Sequence, residues 1–222
     1  DIQLIEESDN QIGLTLKDGT ALVLKDRVFK LSTSLNGDND SFKDVNIEYG
    51  SGLKNITSTI TGGELRGYLD MRDTEVKSVV DKMNILSASF IQEFNGIHRA
   101  GFGIDGSSGL DFFSPLDVTV DHDVDNTGTA VVSMTNASPT TVSVDEFEIA
   151  FTDSNAFTLN NLTTNASSGT FTFTTGSTFN IKDGFAVTIS GAAVSGDKVT
   201  FSVSEDAASG MSVSSTITAN TR

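Results

Sequence analysis

The segment that decides the fold runs from Gly62 to Phe113 and reads GGELRGYLDMRDTEVKSVVDKMNILSASFIQEFNGIHRAGFGIDGSSGLDFF. Its apolar residues recur in steps of three and four, the spacing that places side chains on one face of an α-helix. These residues are Leu65, Leu69, Val76, Val79, Val80, Met83, Leu86, Phe90, Phe94 and Ile97. Charged residues such as Glu75, Asp81 and Glu93 fall largely on the other side. The pattern predicts one long amphipathic helix over residues 73–99, with a short lead-in.

The residues at both ends of this pattern suit helix termini. Asp73 or Thr74 can cap the first turn by accepting hydrogen bonds from its exposed amides, and Glu75 complements the helix dipole there. Arg99 followed by Gly101 suits the C-terminal end. We expect the apolar stripe to be the buried face of the helix, covered by strands from the flanking sequence. The residues expected to be buried are Leu69, Val76, Val80, Met83, Leu86, Phe90 and Phe94.

The sequence before the helix has the two-residue alternation of β-strands. The run from Ile12 to Leu16 alternates apolar and small residues, and the run from Leu22 to Leu24 resumes the alternation after the turn signal Asp18-Gly19. This arrangement predicts a β-hairpin. Shorter β-like runs follow at Val28–Leu31, Val45–Tyr49 and Ile56–Ile60.

After Pro115 the pattern is that of β-structure, without helical periodicity. Apolar residues alternate at Val118/Val120, Val132/Met134, Val142/Val144, Phe147/Ile149/Phe151, Phe171/Phe173, Phe185/Val187/Ile189 and Val199/Phe201/Val203. Clusters of Gly, Asn, Asp, Ser and Thr separate these runs, as in an antiparallel sandwich or barrel. We therefore predict an α+β protein with a mixed inner domain over residues 1–114, containing the helix 73–99, and an all-β outer domain over residues 115–222.

The composition is acidic and contains no cysteine. Thirty Asp and Glu residues against 14 Lys and Arg give a formal net charge of -16. Because nucleic acids and anionic membranes attract clustered cations, this balance predicts neither as a partner. Without cysteine, disulfides and thiolate metal sites are excluded. The longest apolar runs are too short to span a bilayer, and the first residues lack the pattern of a signal peptide.

Two histidines and two acidic clusters are the residues most able to carry chemistry. His98 could ligate a metal or act as a base, but its place in the last turn suits interaction with the helix carbonyls. His122 lies within Asp121–Asp125, whose carboxylates could hold a hard cation, although their spacing departs from that of a calcium-binding loop. In the segment 105–111, the glycines and Asp105 suit a tight turn. We predict structural roles for all of them, and no catalytic, cofactor-binding or metal-binding residue.

Three motifs stand out in and after the predicted helix. They are GGEL-x-G-x-L-D-x-R-D at Gly62–Asp73, the helix end FNGIH at Phe94–His98, and DG-x-x-G-x-D-F-F at Asp105–Phe113. Together they resemble the flagellar hook-associated protein 1 family, the hook–filament junction proteins of bacterial flagella. The hairpin IGLTLKDGTALVL and the run DGFAVTISGAAVSGDKVTF at Asp183–Phe201 are similar to further segments of that family.

The resemblance implies a structural role without catalysis or cofactors. Members of the family are rods of terminal helices that carry β-rich outer domains. We expect this chain, which starts in mid-pattern at Asp1, to be a middle and outer-domain fragment without those helices. The family joins the hook protein, neighbouring subunits and a second hook-associated junction protein through them. The resemblance further implies an extracellular location in the flagellum, reached by type III export without a cleaved signal. Because the assembling helices are missing and the net charge is repulsive, we expect the fragment to be monomeric.

Two other classes of protein remain open on the residues alone. A secreted adhesin-like or carbohydrate-binding β-module fits the acidic, Ser/Thr-rich second half, but it leaves the motif at 62–73 unexplained. A metal-dependent hydrolase using the carboxylate clusters needs histidine and acidic residues to converge. The sequence shows neither that convergence nor a G-x-S-x-G elbow or phosphate-binding loop. Long heptad-patterned helices on both sides of this chain are required by the junction hypothesis and unexplained by the alternatives.

Overall fold

The computed structural model describes residues 2–6, 11–37, 39, 41–50, 52–104, 106–139 and 141–220, with the backbone alone at 218–220. The chain divides into two compact units, Asp1–Ser78 and Val79–Arg222. Its fold class is α+β, as predicted, with one long helical segment and antiparallel strands in open sheets. Within the described residues these sheets do not close into a barrel. The domain organisation that the sequence predicts, 1–114 and 115–222, stays a prediction.

The first unit contains two antiparallel sheets. One has the strand order β1 (Ile2–Glu6), β2 (Ile12–Leu16), β3 (Ala21–Leu24), β4 (Arg27–Val28), and the other has β5 (Leu31–Leu35), β6 (Lys43–Tyr49), β7 (Gly52–Asn55). The predicted hairpin is formed by β2 and β3. In its turn Gly19 has φ of 83°, which glycine adopts without strain. Asp18 accepts hydrogen bonds from the amide and the hydroxyl of Thr20 at 2.9 and 2.6 Å.

The core of the first unit gathers apolar side chains from both sheets and from the start of the helical segment. Its buried members are Leu16, Val45, Ile47, Ile56, Ile60 and Leu69. The prediction of β-structure over 56–60 is wrong, because Thr57–Thr59 forms a 3-10 turn. The amide of Ile60 bonds to the carbonyl of Ile56 at 3.2 Å. The turn places both isoleucines in the core. Residues four apart on a strand would also share a face, so the apolar pattern alone did not distinguish the two structures.

The helical segment consists of α1 (Gly63–Asp70), a π-helical stretch (Met71–Val76) and α2 (Lys77–Ala100). The predicted start at residue 73 is wrong, since the segment begins at Gly63. An Arg66–Asp70 ion pair at 2.5 Å spans the i, i+4 positions of the first turns, a spacing that stabilises helices. The segment ends next to the predicted Arg99. None of the helices in the described part of the chain is long and apolar enough to cross a membrane.

Asp73 and Thr74 lie inside the helical segment and therefore cannot cap it. Asp73 instead pairs with Arg72, and it accepts a hydrogen bond from Asn39 Nδ2 at 3.1 Å. Arg72 also donates to the carbonyl of Lys43 at 2.9 Å. The hydrogen bond from Arg72, and after it the one from Asn39, holds the pKa of Asp73 below its ordinary value. The charged end of the GGEL motif thus fixes the loop before β6 to the helix.

The second unit contains a β-sandwich. Its strands are β8 (Thr119–His122), β9 (Val131–Asn136), β10 (Phe147–Asp153), β11 (Ala156–Asn161), β12 (Ala166–Thr172), β13 (Thr178–Asn180), β14 (Phe185–Ser190) and β15 (Lys198–Ser202). One sheet has the order β12-β11-β10-β15-β8 and the other β13-β14-β9. A 3-10 turn (Lys182–Gly184) precedes β14, and two short helices, α3 (Ala207–Gly210) and α4 (Ser215–Asn220), follow β15.

The sandwich core is built from the alternating residues that the sequence identifies. Phe147 of β10 and Phe201 of β15 lie in one sheet, and their ring centroids are 5.6 and 5.0 Å from that of Phe185 in the other. The prediction of a strand at Val142–Val144 is wrong. These residues lie in a loop, where Val142 is buried in the same core. The strands β11 and β13 and the helices α3 and α4 were not predicted.

Candidate interaction surface

The long helix buries a different face from the one that the sequence predicts. Ala88, Ile91 and Asn95 are 0%, 3% and 4% exposed, and they follow one another in steps of three and four. Of the residues expected to be buried, Leu69 is buried. The exposed ones are Val76, Val80, Met83, Leu86, Phe90 and Phe94. The prediction that this apolar stripe is the covered face is therefore wrong.

The covered face is held by amide side chains that bond to main-chain atoms. Gln92 Nε2 donates to the carbonyl of Val142 at 2.7 Å, and Asn84 Oδ1 accepts from the amide of Ala208 at 3.1 Å. At about 100° per residue, this face lies roughly a third of a turn from the apolar stripe. The small residue Ala88 and the amide residue Asn95 contribute little to the hydrophobic pattern of this face. This is why the hydrophobic pattern pointed to the wrong side.

Asn95 fixes the DFF segment, Leu110–Phe113, against α2. Its Nδ2 donates to the carbonyl of Phe113 at 3.0 Å, and its Oδ1 accepts from the amide of the same residue at 2.9 Å. Both polar atoms of this buried carboxamide are therefore satisfied. On its other side Phe113 forms an isolated β-bridge with Val213. The chain thus returns to the end of α2 both before and after the sandwich.

His98 and Arg99 hold the same DFF segment at the last turn of α2. His98 Nδ1 lies 2.7 Å from the carbonyl oxygen of Leu110. Since a carbonyl can only accept, Nδ1 carries the proton in this contact. Arg99 Nη2 donates to Asp111 Oδ2 at 2.7 Å, and its Nε lies 2.6 Å from Oδ1 in the same ion pair. His98 thus has a structural contact, and the absence of a metal-binding role for it stays a prediction.

His122 and the neighbouring Asp123 also bond to the main chain. His122 Nε2 accepts from the amide of Val132 at 3.2 Å, and Asp123 Oδ1 accepts from the amide of Asp125 at 2.8 Å. Among the described residues no three His, Asp or Glu side chains are placed to hold a metal ion together. Asp105, expected to make a turn, lies outside the described residues.

Asp197 organises a loop of the second unit, a role that the sequence pattern does not predict. It accepts main-chain hydrogen bonds from Thr127 at 2.9 Å, Gly128 at 3.1 Å and Val194 at 3.0 Å. These bonds, led by that of Thr127, hold the pKa of Asp197 below its ordinary value of 3.8, although desolvation acts in the opposite direction. A Cβ on Gly128 would lie 2.7 Å from the carbonyl oxygen of Ala192. Glycine is thus required where the loop packs around the carboxylate.

An exposed row of large apolar side chains runs along α2. We call it the helix stripe, and its members are Val79, Val80, Met83, Leu86, Phe90, Phe94 and Ile97. Leu86 is 70% exposed and Phe90 50%. The steps of four, three and four from Val79 through Met83 and Leu86 to Phe90 are those of a heptad seam. A contiguous exposed apolar patch marks an interaction site on a protein surface.

Two further phenylalanines extend the helix stripe sideways. The ring centroid of Phe94 lies 5.0 Å from that of Phe112 and 5.3 Å from that of Phe113, and Phe90 lies 5.6 Å from Phe113. We call these four residues the aromatic cluster. Phe112 and Phe113 are half-buried and form one wall of the cluster. The opposite side of the cluster, with Phe90 and Phe94, is exposed to solvent.

Fold and surface together define a class of protein, an α+β subunit with an exposed helical seam suited to contact with other helices. The family model described as the flagellar hook-associated protein FlgK helical domain matches residues 1–113 of the 222. The chain belongs to the FlgK family of flagellar hook-associated proteins. The resemblance carried by the three motifs is thereby confirmed. This family consists of structural flagellar proteins. Neither the adhesin-like nor the hydrolase alternative explains the match to it.

Two relatives show how much of the family's length this chain represents. Flagellar hook-associated protein 1 of Escherichia coli is 29% identical over 152 residues, which cover 68% of this chain and 27% of that protein. The flagellar hook junction protein FlgK of Burkholderia pseudomallei has the same fold, with a TM-score of 0.74 at 22% identity. That match covers 96% of this chain and 40% of the other. The chain therefore spans well under half the length of either relative.

Proposed function

We propose that this chain is part of a structural component of the bacterial flagellum that joins the hook to the filament, and that it performs no catalysis. The helix stripe is its assembly surface. The observation that carries this proposal is the exposure of a heptad seam in a chain of the FlgK family. Residues such as Leu86 gain free energy only when another apolar surface covers them.

The occupant of the helix stripe is an amphipathic helix from the longer protein. The family model names residues 1–113 a helical domain. In the described part of that range, however, only Gly63–Ala100 forms more than a single helical turn. The two relatives extend well beyond the matched region. The terminal helices implied by the resemblance supply the missing helical partners, and a heptad seam is the surface on which they pack.

The same proposal assigns the partners and the location. The terminal helices connect the protein to the hook protein, to neighbouring subunits and to a second hook-associated junction protein. The protein acts outside the cell, after type III export without a cleaved signal. Residues 1–114 act as the inner domain, and residues 115–222 as the outer β-domain. The net charge of -16 disfavours nucleic acids and anionic membranes as partners.

Incorporation into isolated hooks tests the proposal. The full-length gene product is expressed in a strain that lacks it, and its amount in purified hook complexes is compared with its amount in the culture medium. Leu86→Asp places a charge in the helix stripe and should move the protein from the hooks to the medium. Lys82→Asp introduces the same side chain at an exposed position of α2 outside the stripe and should leave incorporation intact. Equal incorporation of both variants would refute the assembly role.

A further inference from the structure

We propose that the aromatic cluster is the anchor of the helix stripe, and that Asn95 is the positioning residue that builds it. This inference rests on the proposed function and names where on the same surface the partner helix gains most of its affinity. The partner is the amphipathic helix already described.

The aromatic cluster differs from the rest of the helix stripe in having two sides. Phe90 and Phe94 come from α2, while Phe112 and Phe113 come from the DFF segment beside it. The rings of Phe112 and Phe113 meet edge to face at 4.9 Å, and the ring of His98 lies 5.6 Å from Phe112. An apolar side chain of the partner helix that binds at the cluster contacts rings of α2 on one side and rings of the DFF segment on the other. A single row of α2 side chains offers contacts on one side only.

This geometry meets the conditions under which a few residues dominate binding. Such residues are enriched in large side chains that sit in preformed, well-packed pockets and become fully desolvated on association. Phe90 is half exposed, so it has surface left to bury, and its ring is already fixed by its neighbours. By contrast, Leu86 and Ile97 have no ring of their own to pack edge to face with the cluster, and they are 70% and 74% exposed. Preformed contacts lower the entropy lost on binding.

Asn95 acts through Phe113 and does not belong to the surface itself, since it is 4% exposed. Its carboxamide holds both the amide and the carbonyl of Phe113. That fixes the backbone from which the outer wall of the cluster projects. Removal of the carboxamide leaves both main-chain groups without these partners. The segment stays bound to His98 and Arg99, but the position of the Phe113 ring relative to the two phenylalanine rings of α2 is less well fixed.

The anchor is tested by alanine substitutions in the full-length gene product, with incorporation into isolated hooks as the readout. Phe90→Ala should lower incorporation at least about tenfold, as a hot-spot residue does. Val79→Ala, in the helix stripe but outside the cluster, should lower it less than about threefold. Equal losses would overturn the anchor and leave the assembly surface in place. No loss in either variant, together with normal incorporation of Leu86→Asp, would overturn the proposed function as well.

The role of Asn95 is tested by a double-mutant cycle with Phe113. If Asn95 acts through this ring, Asn95→Ala should lower incorporation in the natural background and have little further effect beside Phe113→Ala. Independent, additive losses would overturn the positioning role. The thermal unfolding of each 23.4 kDa chain variant shows whether it is folded, and Phe113→Leu replaces Phe113→Ala in the cycle if the latter unfolds. If the loss of incorporation of Asn95→Ala and the Phe113 variants is proportional to their loss of thermal stability, the inference would also be overturned.

Discussion

Truncation of Ile91 to alanine should destabilise the second unit far more than truncation of Leu86, although both residues lie in α2. Ile91 is 3% exposed, and emptying such a site costs about 2–5 kcal/mol. Leu86 is 70% exposed. Its hidden part is worth about 0.5–1 kcal/mol, taking the remaining fraction of the 1.5–3 kcal/mol gained by full burial. The higher helix propensity of alanine offsets a little of that loss.

Urea unfolding followed by circular dichroism measures this difference. The isolated chain is studied at low micromolar concentration, and separate transitions are fitted if the two units unfold separately. The free energy of unfolding should fall by at least about 1 kcal/mol more for Ile91→Ala than for Leu86→Ala. A loss for Leu86→Ala as large as that for Ile91→Ala would mean that the helix stripe is covered in the isolated chain, and the reasoning from exposure would be refuted.

Three further outcomes concern packing, pH and association. Gly128→Ala should cost about 1–3 kcal/mol in urea unfolding, as overpacking does, because the new Cβ meets the carbonyl of Ala192. Gly210→Ala, with open space around it, is the control. The lowered pKa of Asp197 stabilises the folded state above the ordinary value of 3.8, and this contribution is lost as the pH falls through the folded-state pKa. The melting temperature should therefore drop on acidification below about pH 4, and less so for Asp197→Asn. Light scattering at tens of micromolar protein should give a mass near 23.4 kDa, because copies with a net charge of -16 repel one another. A stable ring or dimer would show that copies of this chain associate through a surface of their own, without the terminal helices.

Local patterns in the sequence were enough to predict the elements that depend on neighbouring residues. The turn signal at Asp18-Gly19 gave the β2–β3 hairpin, and the alternation through Phe147, Ile149 and Phe151 gave a strand whose three apolar side chains are all buried. In both cases the two-residue period reports directly on which side chains face the core. The fold class follows from these elements and from the one long helical pattern.

The orientation of the helix could not be predicted, because it depends on groups far away in the sequence. Periodicity locates an apolar face but does not say whether this chain covers it. The face that is covered uses Gln92 and Asn95, whose main-chain partners Val142 and Phe113 lie in separate loops. An amide side chain in a helix pattern reads as solvent-facing unless those partners are known. The main-chain amides that bond to Asp197 could not be predicted for the same reason, because two of them, those of Thr127 and Gly128, lie far from it in the sequence.

The most direct test of the assembly surface is the oxidation of Met83 by hydrogen peroxide, measured as sulfoxide by mass spectrometry. Met83 lies in the middle of the helix stripe and is 57% exposed. It should be oxidised readily in the isolated chain and much more slowly in purified hook–filament complexes that contain the full-length gene product. Met134, packed against the sandwich core, is the internal reference and should react at the same rate in both states. Equal oxidation of Met83 in the two states would contradict the claim that assembly covers the helix stripe.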